Sequence, residues 1–234
     1  MKKRMKLLSA VLAISMLSSA PVMAAGNFGG GLNYGEEWRG YTDDYAVRYN
    51  DVPTTHWAYN AIGRVSSKNW FNGYPDGNFH PSAQITRSEA AKVFAKFLGL
   101  QLSNTVQSSF YDVSTTDWYS PYIEATKLLF PGTVNFDGSV PFRPEMPITR
   151  EDTIYALVKA LGYDSSTQFA DLSVLNMFSD QNSISSSKKA YVAVAVQKGI
   201  ASGHSNGTIG AQDPLTRAEF ATLLYRATYI GNNN

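Results

Sequence analysis

ITRSE at residues 85–89 returns as ITRED at 148–152 and as LTRAE at 215–219. Thr-x-x-Glu ahead of an apolar periodic run is a capping box, in which the hydroxyl of Thr86 or Thr216 accepts a first-turn N–H and Glu89 or Glu219 reaches back to the cap. Asp152 holds the acidic place in the second copy, and its shorter side chain predicts a weaker box. Downstream of each copy the apolar residues have a helical period. Ala90, Val93, Phe94, Phe97 and Leu98 recur at three-and-four spacing, as do Ile154, Leu157, Val158 and Leu161, and again Phe220, Leu223, Leu224 and Ala227.

Reading backwards from each copy gives the same parts in the same order: a Pro, a Gly-containing turn, a first helical stretch and an opening acid. The interval from the opening Asp to the Arg is 36 residues for Asp51 and Arg87, 38 for Asp112 and Arg150, and 37 for Asp180 and Arg217. Self-similarity at a fixed period marks a repeat architecture. The chain therefore divides into helix-loop-helix units at 51–100, 110–163 and 177–230, with a connector at 101–109 and a longer one at 164–177 that carries a short helix. One apolar stripe cannot be buried alone. The expectation is a mostly α body in which the three stripes face one another with pseudo-threefold symmetry.

The remaining sequence sets the context. Residues 1–25 combine MKKRMK, the short apolar run LLSAVLAISMLSSA and the small residues VMAAG, a pattern that predicts a secretory signal peptide cut after Ala24 or Ala25. No later run reaches the length of a membrane-spanning helix, so no membrane insertion is expected after its removal. Residues 26–50 are Gly- and Tyr-rich without helical period and read as a tether or docking segment. Without Lys2, Lys3, Arg4 and Lys6, the 20 basic residues fall to 16 against 19 acidic ones, a net charge of −3. That balance argues against nucleic acid as a partner. The absence of cysteine removes disulfides, thiolate metal sites and thiol nucleophiles from consideration.

Capping gives no reason for Arg87, Arg150 and Arg217, because the first turn of a helix prefers acids to bases. Two readings stand. The arginine, beside first-turn N–H groups, forms a forked site for a carboxylate or phosphate; or it forms an internal salt bridge to Asp51, Asp112 or Asp180. Gly73 and Gly77, and likewise Gly203 and Gly207, either serve turn geometry or let a flat ligand approach bare backbone. Trp57 and Trp118, each six residues after an opening Asp, are either core or a platform for the apolar face of a sugar. Ser187 stands at the corresponding place in the third unit, so a Trp-based site there is expected to be weaker or lost. His56, His80 and His204 lack metal-ligand spacing, DGN at 76–78 lacks the alternating acids of a calcium loop, and no catalytic arrangement has a motif context. Neither a metal, a cofactor nor an enzymatic activity is therefore expected.

DVPTTHWAYNAI, NGYPDGNFHPSAQ and ITRSEAAKVFAKFLG together resemble the S-layer homology domain, and all three units share the resemblance across about residues 51–230. It implies three tandem repeats in a pseudo-threefold, mostly helical spindle. The grooves between repeats would hold a secondary cell-wall polysaccharide without covalent attachment, often one with a pyruvyl ketal on N-acetylmannosamine. Under this resemblance Arg87, Arg150 and Arg217 take the ketal carboxylate, and Trp57 and Trp118 lie against the sugar. Asp51, Asp112 and Asp180 orient hydroxyls or arginines, while Gly73, Gly77, Gly203 and Gly207 shape the groove. The implied protein is secreted, resides at the cell wall or surface layer and is not an enzyme. Its partners are the wall polymer and copies of itself or another surface protein. The alternative is a self-assembling surface-layer or filament subunit.

Overall fold

Thr86 begins the first well-capped helix as the sequence requires: its side chain accepts from the Glu89 N–H, and the Glu89 carboxylate accepts from the Thr86 N–H. The computed structural model describes residues 48–102, 107–132 and 134–231. The expected signal peptide, residues 26–47 of the N-terminal segment and part of the 101–109 connector lie outside the described residues. The helices are α1 (Tyr59–Ser67), α2 (Arg87–Leu98), α3 (Ser120–Thr126), α4 (Arg150–Ala160), α5 (Lys189–Gln197) and α6 (Arg217–Gly231). Between α4 and α5 the chain makes short 3-10 turns at Asp164–Phe169, Leu172–Met177 and Gln181–Ser183, so the helix expected in the longer connector is of the tighter 3-10 type. Gly99 ends α2 in the left-handed conformation, φ +63°, which removes the steric cost of that cap.

The three repeated motifs meet in a closed ring of backbone hydrogen bonds. Ile85 N–H donates to the Leu215 carbonyl (3.1 Å), Leu215 N–H to Ile148 (3.0 Å) and Ile148 N–H to Ile85 (3.0 Å). Antiparallel bridges pair Gln84 with Thr216, Thr86 with Pro147 and Thr149 with Pro214, so each segment has one edge against each of the other two. The side chains of Ile85, Ile148 and Leu215 are buried at this centre. Three buried N–H groups and three buried carbonyls are thereby satisfied without a sheet.

Helices leave the ring and pack across the units: α3 rests on α2, α5 on α4 and α1 on α6. The apolar stripes face inward as the three-and-four spacing requires. Phe94 on α2 lies 6.0 Å from Phe220 on α6 and 4.9 Å edge-on from Phe130, while Phe71 meets Phe220 at 5.7 Å. Such tilted and edge-to-face pairs add to the burial of area itself. Among the described residues no helix is long and apolar enough to cross a membrane.

Candidate ligand cleft and the repeated arginines

The backbone donors at the head of α2, α4 and α6 are already occupied. Arg87 and Ser88 donate to the carbonyls of Met146 and Pro144 (2.9 and 3.0 Å), Arg150 and Glu151 to Asp213 and Ala211 (3.0 and 2.9 Å), and Arg217 and Ala218 to Ala83 and Pro81 (2.8 and 3.0 Å). Each helix start is thus closed by the loop that precedes the motif of another unit, in a cyclic order. This corrects the expectation that first-turn N–H groups are open to an anion: a buried helix start must satisfy its orphan donors, and here protein carbonyls do so.

The arginine side chains keep to the same cycle. Arg87 donates through Nε to the Phe142 carbonyl (2.8 Å) and through Nη1 to Asp152 (2.9 Å). Arg150 donates through Nη2 to the Ser202 carbonyl at 2.7 Å. Arg217 reaches the carbonyls of Phe79 (2.8 Å) and Asn72 (2.9 Å), with its guanidinium 4.3 to 4.7 Å from the ring centres of Phe71, Tyr74 and Phe79. Accessibility separates the three: Arg217 is 2% exposed, Arg150 6%, and the Arg87 side chain 13%. Burial pulls the pKa of Arg87 and of Arg217 below the ordinary guanidinium value, opposed at Arg87 chiefly by the Asp152 carboxylate and at Arg217 by Tyr74 and Glu89.

The opening acids turn their carboxylates to backbone N–H groups. Asp51 accepts the N–H groups of Phe79 and His80 (2.8 and 2.7 Å), Asp112 those of Phe142 and Arg143 (2.7 Å each), and Asp180 those of Ile209 and Gly210 (2.7 and 2.9 Å). The second residue of each pair is left-handed, with φ of +56° at His80, +59° at Arg143 and +63° at Gly210. A short carboxylate is thus a bidentate clamp on a turn that exposes two adjacent N–H groups. Tightly built turns also explain the glycines. Gly77 and Gly207 adopt φ of +81° and +80°, while a Cβ on Gly73 or Gly203 would collide with the rings of Tyr49 or Phe178.

Trp57 and Trp118 face solvent, 61% and 53% exposed, so neither is core. Trp57 stacks beside His56, and Trp118 lies under the ammonium of Lys92 from α2, 5.1 Å from the ring centre. Trp118 of the second unit thus lies at a junction with the first, while the contact of Trp57 stays within its own unit.

A cleft of about 460 Å³ opens where residues of all three units converge: Arg87 at the head of α2, Arg143 in the second clamped turn, Asp152 and Tyr155 on α4, and Lys188 and Tyr191 around the start of α5. Of the site residues expected from the sequence, Arg87 lines it. Asp152 is its hub, bonded to Arg87 and to the Lys188 ammonium, which also pairs with Glu151 at 2.9 Å. Glu151 in turn accepts from the Ser185 N–H (3.0 Å) and hydroxyl (2.6 Å). Burial works against the Lys188 charge, but Asp152 and Glu151 outweigh it and raise its pKa. Burial likewise opposes the Glu151 charge, and Ser185 with Lys188 outweigh it and lower its pKa. The rings of Tyr155 and Tyr191 lie 4.5 Å apart, and burial together with a 2.9 Å hydrogen bond to Asp164 pushes the Tyr191 hydroxyl up to about 12.

Sequence reasoning missed these groups for local reasons. Asp152 reads as a capping acid; yet although the Thr149 hydroxyl accepts the Asp152 N–H at 3.3 Å, the carboxylate goes to Arg87 and Lys188. Ser187 lines the cleft at the place where the other units carry Trp. Among the described residues no group of three or more His, Asp or Glu is placed to hold a metal ion.

The S-layer homology domain family matches residues 48–91 and 178–221. Similar proteins include an amylopullulanase of Thermoanaerobacterium thermosulfurigenes, 31% identical over 183 residues that make up 78% of this chain and 10% of that protein. An S-layer protein of Bacillus licheniformis is 32% identical over 179 residues, 75% of this chain and 19% of its own length. An uncharacterized cell wall amidase of Bacillus anthracis is 38% identical over 130 residues, 53% of this chain and 23% of its own. The chain thus spans between 10% and 23% of the length of these relatives.

Proposed function

We propose that the chain is a non-catalytic anchor that is secreted and holds to the bacterial cell wall by binding a pyruvylated secondary cell-wall polysaccharide in grooves between its units. The observation that carries this reading is the cationic cleft at the convergence of Arg87, Arg143, Asp152 and Lys188, on a chain whose residues 48–91 and 178–221 match the S-layer homology domain. Residues 110–163, outside the matched segments, form the middle repeat in this reading. Support comes from their Asp112 clamp, their Ile148 in the central ring and their Arg150 strut, which have counterparts in the flanking units. Arg87 contacts the ligand in the cleft, and Trp57 and Trp118 offer exposed stacking faces elsewhere on the surface. Arg150 and Arg217, with Asp51, Asp112 and Asp180 and the hairpin glycines, act by fixing groove shape. Several weak grooves suffice on a polymer, because each bound epitope raises the local concentration of the next.

Sedimentation with purified cell walls, before and after mild acid removes the pyruvyl ketal, tests the proposal. Retention on intact walls and loss on treated ones is expected; equal retention rejects the acidic ligand.

A second reading, a self-assembling surface-layer subunit, is favoured by the exposed Leu128, Val134 and Phe136 at the end of α3 and on the adjoining hairpin. In both readings residues 26–50 recruit a partner or another copy. A chain lacking 26–50 that still sediments with walls but no longer polymerises separates anchoring from assembly.

A further inference from the structure

We infer that Arg143, in the turn clamped by Asp112, is the residue that receives the ligand's carboxylate in this cleft, with the Tyr155 and Tyr191 rings forming the wall for the sugar. The inference rests on the reading of the chain as a binder of an acidic saccharide, and it assigns the contact to residues outside the repeated Thr-Arg motif.

Charge pairing is the first argument. Arg87 is matched by Asp152, and Lys188 by Asp152 and Glu151. Arg143 lines the same cleft and is exposed, yet among the described residues its guanidinium makes neither an ion pair nor a hydrogen bond. The charged residues lining the cleft are Arg87, Arg143 and Lys188 against Asp152; of the carboxylates just behind it, Glu151 is held by Ser185 and Lys188 and Asp112 by the N–H groups of Phe142 and Arg143, so Arg143 is the cation left to meet a ligand carboxylate. Arg143 is also close enough to disfavour the charge on Arg87, a repulsion that an anion between them would relieve.

Backbone conformation is the second. A residue with a side chain is disfavoured at φ +59°, and the third unit uses Gly210 at the equivalent turn. The Asp112 carboxylate, bonded to the N–H of Phe142 and of Arg143 at 2.7 Å each, holds the strained residue in place. His80 is held at φ +56° by Asp51 in the same way, so the strain belongs to the clamped turn, and of these two strained residues Arg143 is the one that lines the cleft.

The third argument is the aromatic wall. Where Trp57 and Trp118 present an indole, the third unit has Ser187, and Tyr155 with Tyr191 supplies apolar faces within the cleft instead. A pyranose needs one such face and polar groups around its rim.

Calorimetric titration with two probes tests this: the methyl glycoside of N-acetylmannosamine carrying a pyruvyl ketal, and the same glycoside without it. The wild type should prefer the ketal by about tenfold or more. Arg143→Gly should bring the two probes to equal affinity, and Arg143→Lys should keep part of the preference. Because Gly occupies the equivalent turn at 210, Arg143→Gly should melt no lower than wild type. Tyr191→Ala should weaken both probes alike. A folded Arg143→Gly chain that keeps the full preference overturns the assignment while leaving the acidic ligand standing. A wild type that binds both probes equally overturns the assignment and the pyruvylated ligand together, and wall sedimentation then decides the anchoring role separately.

Discussion

The guanidinium of Arg217 donates to the carbonyl of Phe79, 138 residues earlier in the chain, at 2.8 Å, and so joins the third unit to the first. Arg87 repeats this bond with the Phe142 carbonyl, and Arg150 to Ser202 repeats the second bond of Arg217, to the Asn72 carbonyl, around the ring. The repeated arginine is thus a strut between units, whatever else it contacts.

Replacing that strut should cost stability with little regard to ligand. Arg217→Lys loses the fork that spans the carbonyls of Phe79 and Asn72 and the flat cation against three rings. Each charge-assisted bond contributes about 1.5–3 kcal/mol, so a loss of roughly 3 kcal/mol is expected in urea denaturation. A loss below about 1 kcal/mol contradicts the strut role.

The clamps should differ among themselves. Asp112→Ala and Asp180→Ala each remove two bonds to backbone N–H groups, yet Asp112 also restrains Arg143 at positive φ, whereas Asp180 restrains a glycine. Release of Arg143 from its left-handed conformation offsets part of the loss, so the alanine variant at 112 should be the more stable of the two by about 1 kcal/mol, the cost scale of a left-handed residue with a side chain. Paired denaturation midpoints check the order.

Stability should fall in acid through Glu151. Although burial opposes its charge, Ser185 and Lys188 hold its folded pKa below the ordinary 4.5, so its contribution is complete above that value and is lost as pH drops through the folded pKa. Lys188 has the opposite sign: its folded pKa lies above 10.5, so its contribution is complete below 10.5 and is lost as pH rises through the folded value. The bridge between the second and third units is therefore strongest between these limits. Melting temperatures from about pH 8 to about pH 3 should fall more steeply for wild type than for Glu151→Gln.

Trp57→Ala and Trp118→Ala should leave stability within about 1 kcal/mol of wild type, since both indoles face solvent. Wall retention in sedimentation should nevertheless drop for each. Unchanged retention removes the indoles from the binding surface.

Local chemistry made much of the fold legible. Thr86, Thr149 and Thr216 cap helices, and the stripes through Phe94, Leu157 and Phe220 are buried, because capping and three-and-four periodicity depend on residues within one turn or two. The candidate site was less legible. Arg143 precedes a proline in an ordinary-looking loop, and its left-handed backbone depends on Asp112, 31 residues away. Asp152 resembles a weak cap until Arg87 and Lys188 arrive from other units.

By itself the sequence determined where helices start, which faces are apolar and that one motif recurs, since these depend on neighbours along the chain. Only the tertiary structure decided that Ile85, Ile148 and Leu215 close a ring, that helix-start donors and arginines are taken up by carbonyls of other units, and that Arg143, Asp152 and Lys188 line one cleft. The reason is physical: a backbone carbonyl carries no residue identity, so a partner of that kind leaves no mark in the sequence and is fixed by packing alone.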